Sequence, residues 1–298
     1  MESIDKMVVV QLTGGLGNQL FQYAFAYYIS SRHNLELVLD TSSFESDALR
    51  EYSLCAFDID NRHLKLNSFR WLNQKKIVKI AKFLQLVKFF NFRPFRIVTE
   101  QEYGFKTRLL ELDKLSNIYL KGYWQSEKYF RDISDIISYK FQITTQPSFE
   151  NQQIMTQIHK QQSVSLHIRR GDYVNNIQVN AIHGVCSLTY YERAVEHIEN
   201  NIDSPHFFVF SDDIQWAKLN LRINHPTIYV GVNNSDNAHE DLRLIQNCKH
   251  NIIANSTFSW WGAWLNQNPN KIVIAPMNWF VTNDRNTKDL IPNDWHLL

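Results

Sequence analysis

The chain contains 298 residues, of which 44% are hydrophobic and 20% are charged. This composition is that of a globular protein and excludes intrinsic disorder, and the length suits two domains of roughly 150 residues each. The formal net charge of +1 gives the chain as a whole no attraction for nucleic acid, so we expect no nucleic-acid partner.

The cysteines and the first residues bear on the cellular compartment. Three cysteines lie far apart in the chain: Cys55, Cys186 and Cys248. Since they form no CxxC pair, free thiols in a reducing compartment are the simplest interpretation. The N-terminal segment has no positive region followed by a long apolar run, and no stretch reaches the ~20 apolar residues that cross a bilayer. We therefore expect a cytoplasmic protein whose membrane contact, if any, is peripheral.

The first forty residues predict a strand, a glycine turn and a helix. Residues 7–13 are apolar and β-branched, residues 14–17 interrupt them, and a helical pattern runs from 18 to 30. A second strand is predicted at 35–40. This order is typical of the beginning of a parallel α/β sheet.

The glycine turn begins like a dinucleotide-binding fingerprint but departs from it. The segment Gly15-Leu16-Gly17-Asn18-Gln19-Leu20 has leucine where the third glycine of that fingerprint allows close helix packing. The sequence therefore disfavours a Rossmann cofactor site, and no P-loop motif occurs. The glycines instead allow Asn18 and Gln19 to approach a neutral, hydroxylated ligand.

Residues 61–99 contain ten Lys or Arg and no Asp or Glu. Within this stretch Lys75, Lys79 and Lys82 share one face of a predicted helix whose other faces are largely apolar. Two interpretations remain open. The helix packs on its own domain with its lysines in water, or it docks on anionic lipid head groups.

The second half of the chain predicts another parallel α/β domain. A helix at 149–160 is followed by strands predicted at 164–168, 206–210, 227–230, 251–254 and 271–275. Helical segments separate most of these strands, which is the pattern of a parallel sheet. We therefore predict an N-terminal domain over 1–150 and a C-terminal domain over 151–298.

Charged residues follow the first strand of this second domain. His167, Arg169, Arg170 and Asp172 lie at or just beyond its end, where ligands of such sheets gather. Adjacent arginines suit a diphosphate, because guanidinium groups stay protonated and offer fixed donors to developing negative charge. The alternative is a structural ion pair that caps the strand.

Two further strand ends carry polar residues. Ser211, Asp212 and Asp213 follow the next strand, where a carboxylate can bind a nucleobase or ribose or can simply cap the following helix. The turn 255–259 is rich in hydroxyl groups and precedes a helix, so it predicts an anion site or an ordinary Ser/Thr cap. Metal chemistry is poorly supported, because neither HExxH nor paired Cys/His spacing occurs and Asp58-Ile59-Asp60 follows no clear strand.

Four motifs in order carry a resemblance to a known family. They are Gly14-Gly15-Leu16-Gly17-Asn18-Gln19-Leu20-Phe21-Gln22-Tyr23-Ala24, His167-Ile168-Arg169-Arg170-Gly171-Asp172-Tyr173, Phe210-Ser211-Asp212-Asp213 and Ser256-Thr257-Phe258-Ser259-Trp260-Trp261-Gly262. Together they resemble the bacterial α-1,2-fucosyltransferases over nearly the whole chain. The segments Gly122-Tyr123-Trp124-Gln125 and His183-Gly184-Val185 also resemble parts of that family.

The resemblance implies a GT-B-like fold, in which two facing Rossmann-like parallel-sheet domains enclose a cleft, and a reaction that needs no metal or other cofactor. GDP-β-L-fucose is then the donor, bound by the C-terminal domain, and a terminal β-galactoside is the acceptor. Fucose is transferred to the galactose 2-hydroxyl with inversion. The residues implied in donor binding are His167, Arg169, Arg170, Ser211, Asp212, Asn255, Ser256, Thr257, Phe258 and Ser259, among which Arg169 stabilises the departing phosphate.

By the same resemblance, Asn18, Gln19, Trp124 and Gln125 face the acceptor, where an aromatic ring suits the apolar face of galactose. Direct displacement also needs a general base near the attacking hydroxyl. Asp172 and His183 are both candidates, and the sequence does not decide between them.

Other functions stay open at this point. One is another GDP-fucose-dependent fucosyltransferase, either α-1,6 or O-fucosyl, although the N-terminal motif favours the α-1,2 group. Another is a non-catalytic sugar- or nucleotide-binding protein, while the missing third glycine disfavours a nicotinamide-dependent oxidoreductase. The basic helix favours a lipid-linked acceptor, for example in O-antigen biosynthesis, at the inner face of the membrane.

Overall fold

The computed structural model describes residues 6–47, 49–59, 95–112, 117–282 and 285–298. Residues 61–94, which hold most of the predicted basic stretch, lie outside this description, as does Asp60 of the Asp-x-Asp segment. The chain divides into two compact units, Met1–Lys140 and Phe141–Leu298. The division thus falls at residue 140, whereas the sequence predicts it near 150.

The first unit is built on a four-stranded parallel sheet. Its strands are β1 (Met7–Gln11), β2 (Glu36–Asp40), β3 (Phe95–Thr99) and β4 (Asn117–Lys121), in the spatial order β2-β1-β4-β3. Helix α1 (Leu16–His33) follows β1, and helix α2 (Ser134–Lys140) ends the unit. Short 3-10 turns lie at Ser42–Glu45, Leu54–Ala56, Thr107–Leu109, Glu127–Tyr129 and Arg131–Ile133.

Strand β1 and helix α1 supply much of the first core. Val8, Val9 and Val10 are fully buried, as expected of a strand in the middle of a parallel sheet. Helix α1 buries residues along most of its length and ends where Asn34 adopts a left-handed conformation with φ 51°. A buried strand leading into a buried helix therefore fixes the turn between them, which carries the first motif.

The second unit is built on a six-stranded parallel sheet. Its strands are β5 (Gln162–Ile168), β6 (Pro205–Ser211), β7 (Thr227–Val230), β8 (His250–Ile252), β9 (Val273–Ala275) and β10 (His296–Leu297), in the order β10-β9-β8-β5-β6-β7. Its helices are α3 (Phe149–Lys160), α4 (Gly171–Asn175), α5 (Ile177–His183), α6 (Leu188–Glu199), α7 (Ile214–Asn220), α8 (Ala238–Asn247) and α9 (Thr257–Leu265). A further 3-10 turn covers Ser235–Asn237.

Alternation along β6 shows how both faces of this sheet are covered. Phe207 and Val209 belong to a core cluster that includes the apolar residues of α6. Phe208 and Phe210 point to the other face and pack with residues of α3 and α8. Successive side chains of a strand point to opposite faces, so the apolar run 207–210 within this strand predicts helices on both sides, as observed.

The predicted α/β class with a parallel sheet in each half is confirmed. Helix α3 and strand β7 have the predicted bounds, whereas β8 ends at Ile252, two residues before the predicted end. The N–H of Ile253 still bonds to Ile274, but the N–H of Ser256 bonds to the carbonyl of Ala254 and turns the chain toward α9. In the described part of the chain, no helix is long and apolar enough to span a membrane.

Candidate active site

The strand order of the second sheet marks a place for a ligand. Strands β6 and β7 lie on one side of β5, and β8, β9 and β10 lie on the other, so the direction of winding reverses at β5. In open α/β sheets, ligands bind outside the carboxyl ends of the strands at such a reversal. The residues that are predicted to bind the GDP-sugar donor lie at or just beyond the ends of β5, β6 and β8, which brings them to this position.

The guanidinium of Arg169 is held between two carboxylates. Its Nη2 donates to Oδ1 of Asp172 at 2.7 Å, and its Nη1 lies 3.0 Å from Oδ2 of Asp212. The guanidinium carbon lies 5.4 Å from the ring centroid of Tyr173. Burial opposes the charged form, but the two carboxylates outweigh burial and raise the pKa of Arg169. An ion pair, which is the alternative to diphosphate binding that the sequence leaves open, is therefore present, and it fixes the direction of a permanent positive charge.

The two aspartates after β6 differ in role. Asp213 caps α7, because its carboxylate accepts from the N–H of Trp216 at 3.1 Å. Asp212 turns toward β5 instead, where its Oδ1 accepts from the N–H of Arg170 at 2.8 Å and its Oδ2 pairs with Arg169. The side chain of Arg170 lies 3.8 Å from the ring centroid of Trp216. The capping interpretation thus holds for Asp213, whose Oδ2 also lies 3.4 Å from Nε of Arg170. Asp212 positions the side chain of Arg169 and the backbone of Arg170.

Replacing Gly171 with alanine should weaken nucleotide binding while leaving the fold intact. A Cβ at this position would lie 2.6 Å from Oδ2 of Asp212, so the carboxylate would have to leave Arg169. We expect about a tenfold loss of GDP affinity, equivalent to one charged hydrogen bond, measured by calorimetry. Gly231→Ala is the matched control, because its Cβ would make an ordinary 3.6 Å contact with Ile214. Equal GDP affinity of the two variants would contradict the role given to Asp212.

His167 is buried within β5, beside the arginines. Its side chain is 5% exposed, its ring centroid lies 5.6 Å from that of Phe258, and its Nδ1 has no hydrogen-bond partner among the described residues. Burial, together with the charge of Arg169, lowers the pKa of His167 to about 3. At neutral pH this imidazole is uncharged, so it can offer a phosphate a hydrogen bond but no positive charge.

The neutral His167 should make the fold sensitive to acid. The unfolded chain binds a proton at this side chain below about pH 6.5, whereas the folded chain binds it only near pH 3. The free energy of unfolding should therefore fall as the pH is lowered through this window. Urea unfolding between pH 7 and pH 4 measures how steeply the free energy of unfolding changes with pH. His167→Gln should make this dependence less steep. A variant with the slope of the wild type would exclude His167 as its source.

The turn after β8 is held together by its own side chains. Asn255 is 2% exposed, and its Nδ2 donates to the carbonyls of His183 at 2.8 Å and Trp279 at 3.3 Å. Ser259 is fully buried and donates to the carbonyl of Ser256 at 3.2 Å. Both side chains are used internally in this structure, and their contact with a nucleotide stays a prediction. What the turn offers an anion is the N-terminus of the nine-residue helix α9.

Three other residues that are predicted to bind the GDP-sugar donor keep exposed surface at this edge. Thr257 and Phe258 are half-buried in the first turn of α9. Ser211 is also half-buried, and its Oγ accepts from the N–H of Asp213 at 3.0 Å. Ser256 precedes α9 as the N-cap residue but makes no side-chain cap bond, so the ordinary Ser/Thr cap is not formed.

His183 belongs to a column of planar groups. Its ring stacks on Tyr173, with centroids 4.8 Å apart and planes at 22°, and the ring of Phe280 lies 5.3 Å away on a 50° tilt. The guanidinium of Arg285 lies over Phe280 at 4.6 Å. Burial and, after it, the charge of Arg285 lower the pKa of His183. Because this pKa lies below the usual 6.5, the imidazole is neutral at pH 7. Its Nδ1 is buried without a hydrogen-bond partner among the described residues.

A similar reversal of strand order occurs in the first sheet, between β1 and β4. Asn18 follows β1 and Gln125 follows β4, and Nε2 of Gln125 donates to Oδ1 of Asn18 at 2.9 Å. The turn before Asn18 requires glycine, since Gly14 has φ +76° and a Cβ there would lie 2.6 Å from the Asn18 amide nitrogen. Two of the four predicted acceptor residues are thus brought together.

The other two predicted acceptor residues differ from expectation. Gln19 is fully buried, where it donates to two backbone carbonyls and accepts from the N–H of Ser53. Trp124 is also fully buried, with its ring 5.0 Å from that of Phe25. Neither side chain has exposed surface in this structure, and their contact with an acceptor sugar stays a prediction. They support the turns that carry Asn18 and Gln125.

Sequence reasoning assigns no role to Tyr173, Phe280 or Arg285, although all three surround His183. Tyr173 is the last residue of the second motif, so its place in the chain was a usable signal. Phe280 and Arg285 lie about a hundred residues away in a segment without a motif, and only the fold reveals them. Among the residues that the structure describes, no group of three His, Cys, Asp or Glu side chains is placed to hold a metal ion.

Comparison with known proteins relates the whole chain to one family. The model of glycosyl transferase family 11 matches residues 7–297. The O-antigen biosynthesis glycosyltransferase WbnK of Escherichia coli is 36% identical, over 92% of this chain and 95% of that protein. An α-1,2-colitosyltransferase of Escherichia coli is 34% identical, over 97% of this chain and 98% of that protein.

One solved structure supports the fold. A mutant of FUT1 from Arabidopsis thaliana in complex with GDP matches with a TM-score of 0.54 at 10% identity, over 94% of this chain and 72% of that chain. At this identity the likeness concerns the fold alone. It agrees with the predicted GT-B type, in which two Rossmann-like units each contain a parallel sheet.

Proposed function

This chain belongs to glycosyltransferase family 11, and from that membership we propose that it is an inverting α-1,2-fucosyltransferase. It transfers L-fucose from GDP-β-L-fucose to the 2-hydroxyl of a terminal β-galactose. The observation that carries the proposal is Arg169, fixed between Asp172 and Asp212 at the reversal of the second sheet. A permanent, directed positive charge at this position suits a departing diphosphate.

The proposed reaction is a single displacement. The galactose oxygen forms a bond to the anomeric carbon of fucose while the bond from that carbon to the GDP phosphate oxygen breaks. The electron pair of the broken bond stays on the phosphate, where Arg169 stabilises it with the help of Arg170 and the N-terminus of α9. Because these groups supply the positive charge, we propose that no divalent cation is required.

The proton of the galactose hydroxyl needs a base, and we propose His183 for this role. Its imidazole is neutral at pH 7 because burial and the Arg285 charge lower its pKa, so it can accept a proton. Asp172 is the second candidate, but its Oδ1 already accepts a bond from Arg169. We assign Asp172 to the orientation of the guanidinium.

On the acceptor side, we propose that the amides of Asn18 and Gln125 bind galactose hydroxyls. Amides suit a neutral sugar because they offer both donors and acceptors. The name of the WbnK relative supports an O-antigen glycan as acceptor. We extend the proposal to a lipid-linked acceptor at the cytoplasmic face of the membrane, where the basic residues of 61–99 meet anionic lipid.

A second candidate differs only in the donor sugar. The 34% identical relative is an α-1,2-colitosyltransferase, and colitose is fucose without one ring hydroxyl. A GDP-colitose donor would place the same diphosphate at Arg169. The two candidates therefore share a mechanism and are separated by which nucleotide sugar is consumed.

The test is to incubate the protein with GDP-fucose or GDP-colitose, with lactose as acceptor and EDTA present. NMR of the product identifies the sugar and its linkage. A fucose linked α-1,2 to galactose in the presence of EDTA is the expected result. Transfer of colitose alone would select the second candidate, and dependence on a divalent cation would contradict the proposed charge stabilisation. Binding of GDP-fucose without product would favour a non-catalytic binding protein.

A further inference from the structure

Three polar side chains form a hydrogen-bonded relay along the carboxyl edge of the first sheet. Tyr103 follows β3, Gln125 follows β4 and Asn18 follows β1, and these strands are neighbours in the order β1-β4-β3. The hydroxyl of Tyr103 donates to Oε1 of Gln125 at 2.5 Å, and Nε2 of Gln125 donates to Oδ1 of Asn18 at 2.9 Å. All three residues are half-buried, so the relay is partly shielded from water.

The relay anchors the amide of Gln125 at both ends. Its oxygen accepts from the Tyr103 hydroxyl, and its nitrogen donates to Oδ1 of Asn18. The side chain is held in one position, because leaving that position breaks two hydrogen bonds. The nitrogen of Asn18 then lies against Gly14, 2.6 Å from where a Cβ would stand.

The backbone that carries Gln125 is fixed by other contacts. The carboxylate of Glu100 accepts from the N–H groups of Tyr123 at 2.7 Å and Trp124 at 3.2 Å. Glycine is required at 122, because a Cβ there would lie 2.4 Å from the Cβ of Glu100. The path of this loop therefore does not depend on Tyr103, which anchors only the side-chain amide.

We propose that Tyr103 is a positioning residue for the acceptor sugar. The inference rests on the proposed function, in which the amides of Asn18 and Gln125 bind galactose hydroxyls. With the relay in place, both amides present one fixed pattern of donors and acceptors to the sugar. Without the Tyr103 hydroxyl, the Gln125 amide keeps only its bond to Asn18 and can leave this position, so that only part of the population presents the matching pattern.

The test measures lactose affinity by NMR titration in the presence of GDP, which requires no turnover. Tyr103→Phe removes one hydroxyl, and we expect the Kd for lactose to rise about fivefold to tenfold, the effect of one hydrogen bond. The Kd for GDP should stay unchanged. Tyr139→Phe is the matched control, because Tyr139 lies on α2 in the same unit and is 60% exposed.

A second variant separates positioning from a general loss of structure. Gln125→Ala removes the amide on which Tyr103 acts, so adding Tyr103→Phe to it should change the lactose Kd no further. An unchanged lactose Kd in Tyr103→Phe would overturn the proposal, as would equal losses of lactose and GDP affinity or a full additional loss in the Gln125→Ala background. Turnover of the wild type with GDP-fucose reports separately on the proposed function.

Discussion

Replacing Arg169 with lysine should lower kcat for fucosyl transfer by about 10²- to 10³-fold, the usual effect of losing a donor to developing negative charge. Lysine keeps the charge but lacks the planar fork that lets one side chain reach Asp172, Asp212 and a phosphate oxygen together. Release of GDP in the presence of lactose measures the change. The KM for lactose should be less affected, because Arg169 lies in the second unit, to which the proposed function assigns the GDP-sugar donor.

Arg222→Lys provides the control for this substitution, since Arg222 is exposed in the same unit. Its kcat should equal that of the wild type. Thermal unfolding of both variants establishes that they are folded. If Arg169→Lys keeps the turnover of the wild type, the departing phosphate is stabilised elsewhere and the proposed mechanism is wrong.

Replacing His183 with alanine should lower kcat by about 10²- to 10⁴-fold while GDP affinity remains close to that of the wild type, as expected when a general base is lost. Asp172→Asn should behave differently. It weakens the hold on Arg169, so its larger effect should be on GDP affinity. The opposite result, with kcat lost in Asp172→Asn alone, would assign the base to Asp172.

The pH profile provides a second readout for His183. A base acts in its unprotonated form, and the pKa of His183 is lowered from its usual value of 6.5, so kcat should fall on the acid side only below that pH. The charge of Arg285 contributes to this lowering. Arg285→Gln should therefore move the acid limb to higher pH. If the acid limb of the kcat profile of Arg285→Gln stays at the pH of the wild type, a group other than His183 is responsible for that limb.

Ligands of parallel α/β sheets bind beyond the carboxyl ends of the strands, and this rule accounts for what could be predicted from the sequence. An apolar strand followed at once by His167 to Asp172 indicates a site at a sheet edge, and the structure places those residues at the reversal beside β5. Similarly, the glycines before Asn18 predicted a turn between strand and helix, and Gly14 does adopt a positive φ there. Local patterns suffice here because both the strand and the turn are determined by neighbouring residues.

Burial and long-range partners could not be predicted in this way. Gln19 and Trp124 lie in motifs beside Asn18 and Gln125, yet both are fully buried. A motif indicates that a segment approaches a ligand, but which of its side chains faces outward depends on packing from α1. Likewise, Asp212 and Asp213 carry the same carboxylate group, and only the fold shows that Asp212 lies against Gly171, which is distant in the chain and leaves room for that carboxylate because it has no Cβ.

The stacking of Tyr173 on His183 also sets the direction from which an acceptor can arrive. A lone pair on an imidazole nitrogen lies in the plane of the ring, so a partner stacked on one face does not block it. Since Nδ1 is enclosed, the other nitrogen, Nε2, is left to take the proton. In the proposed reaction, an incoming galactose would therefore present its hydroxyl edge-on to the ring, which would restrict the sugar orientations that can react and would provide a geometric basis for choosing one hydroxyl over its neighbours.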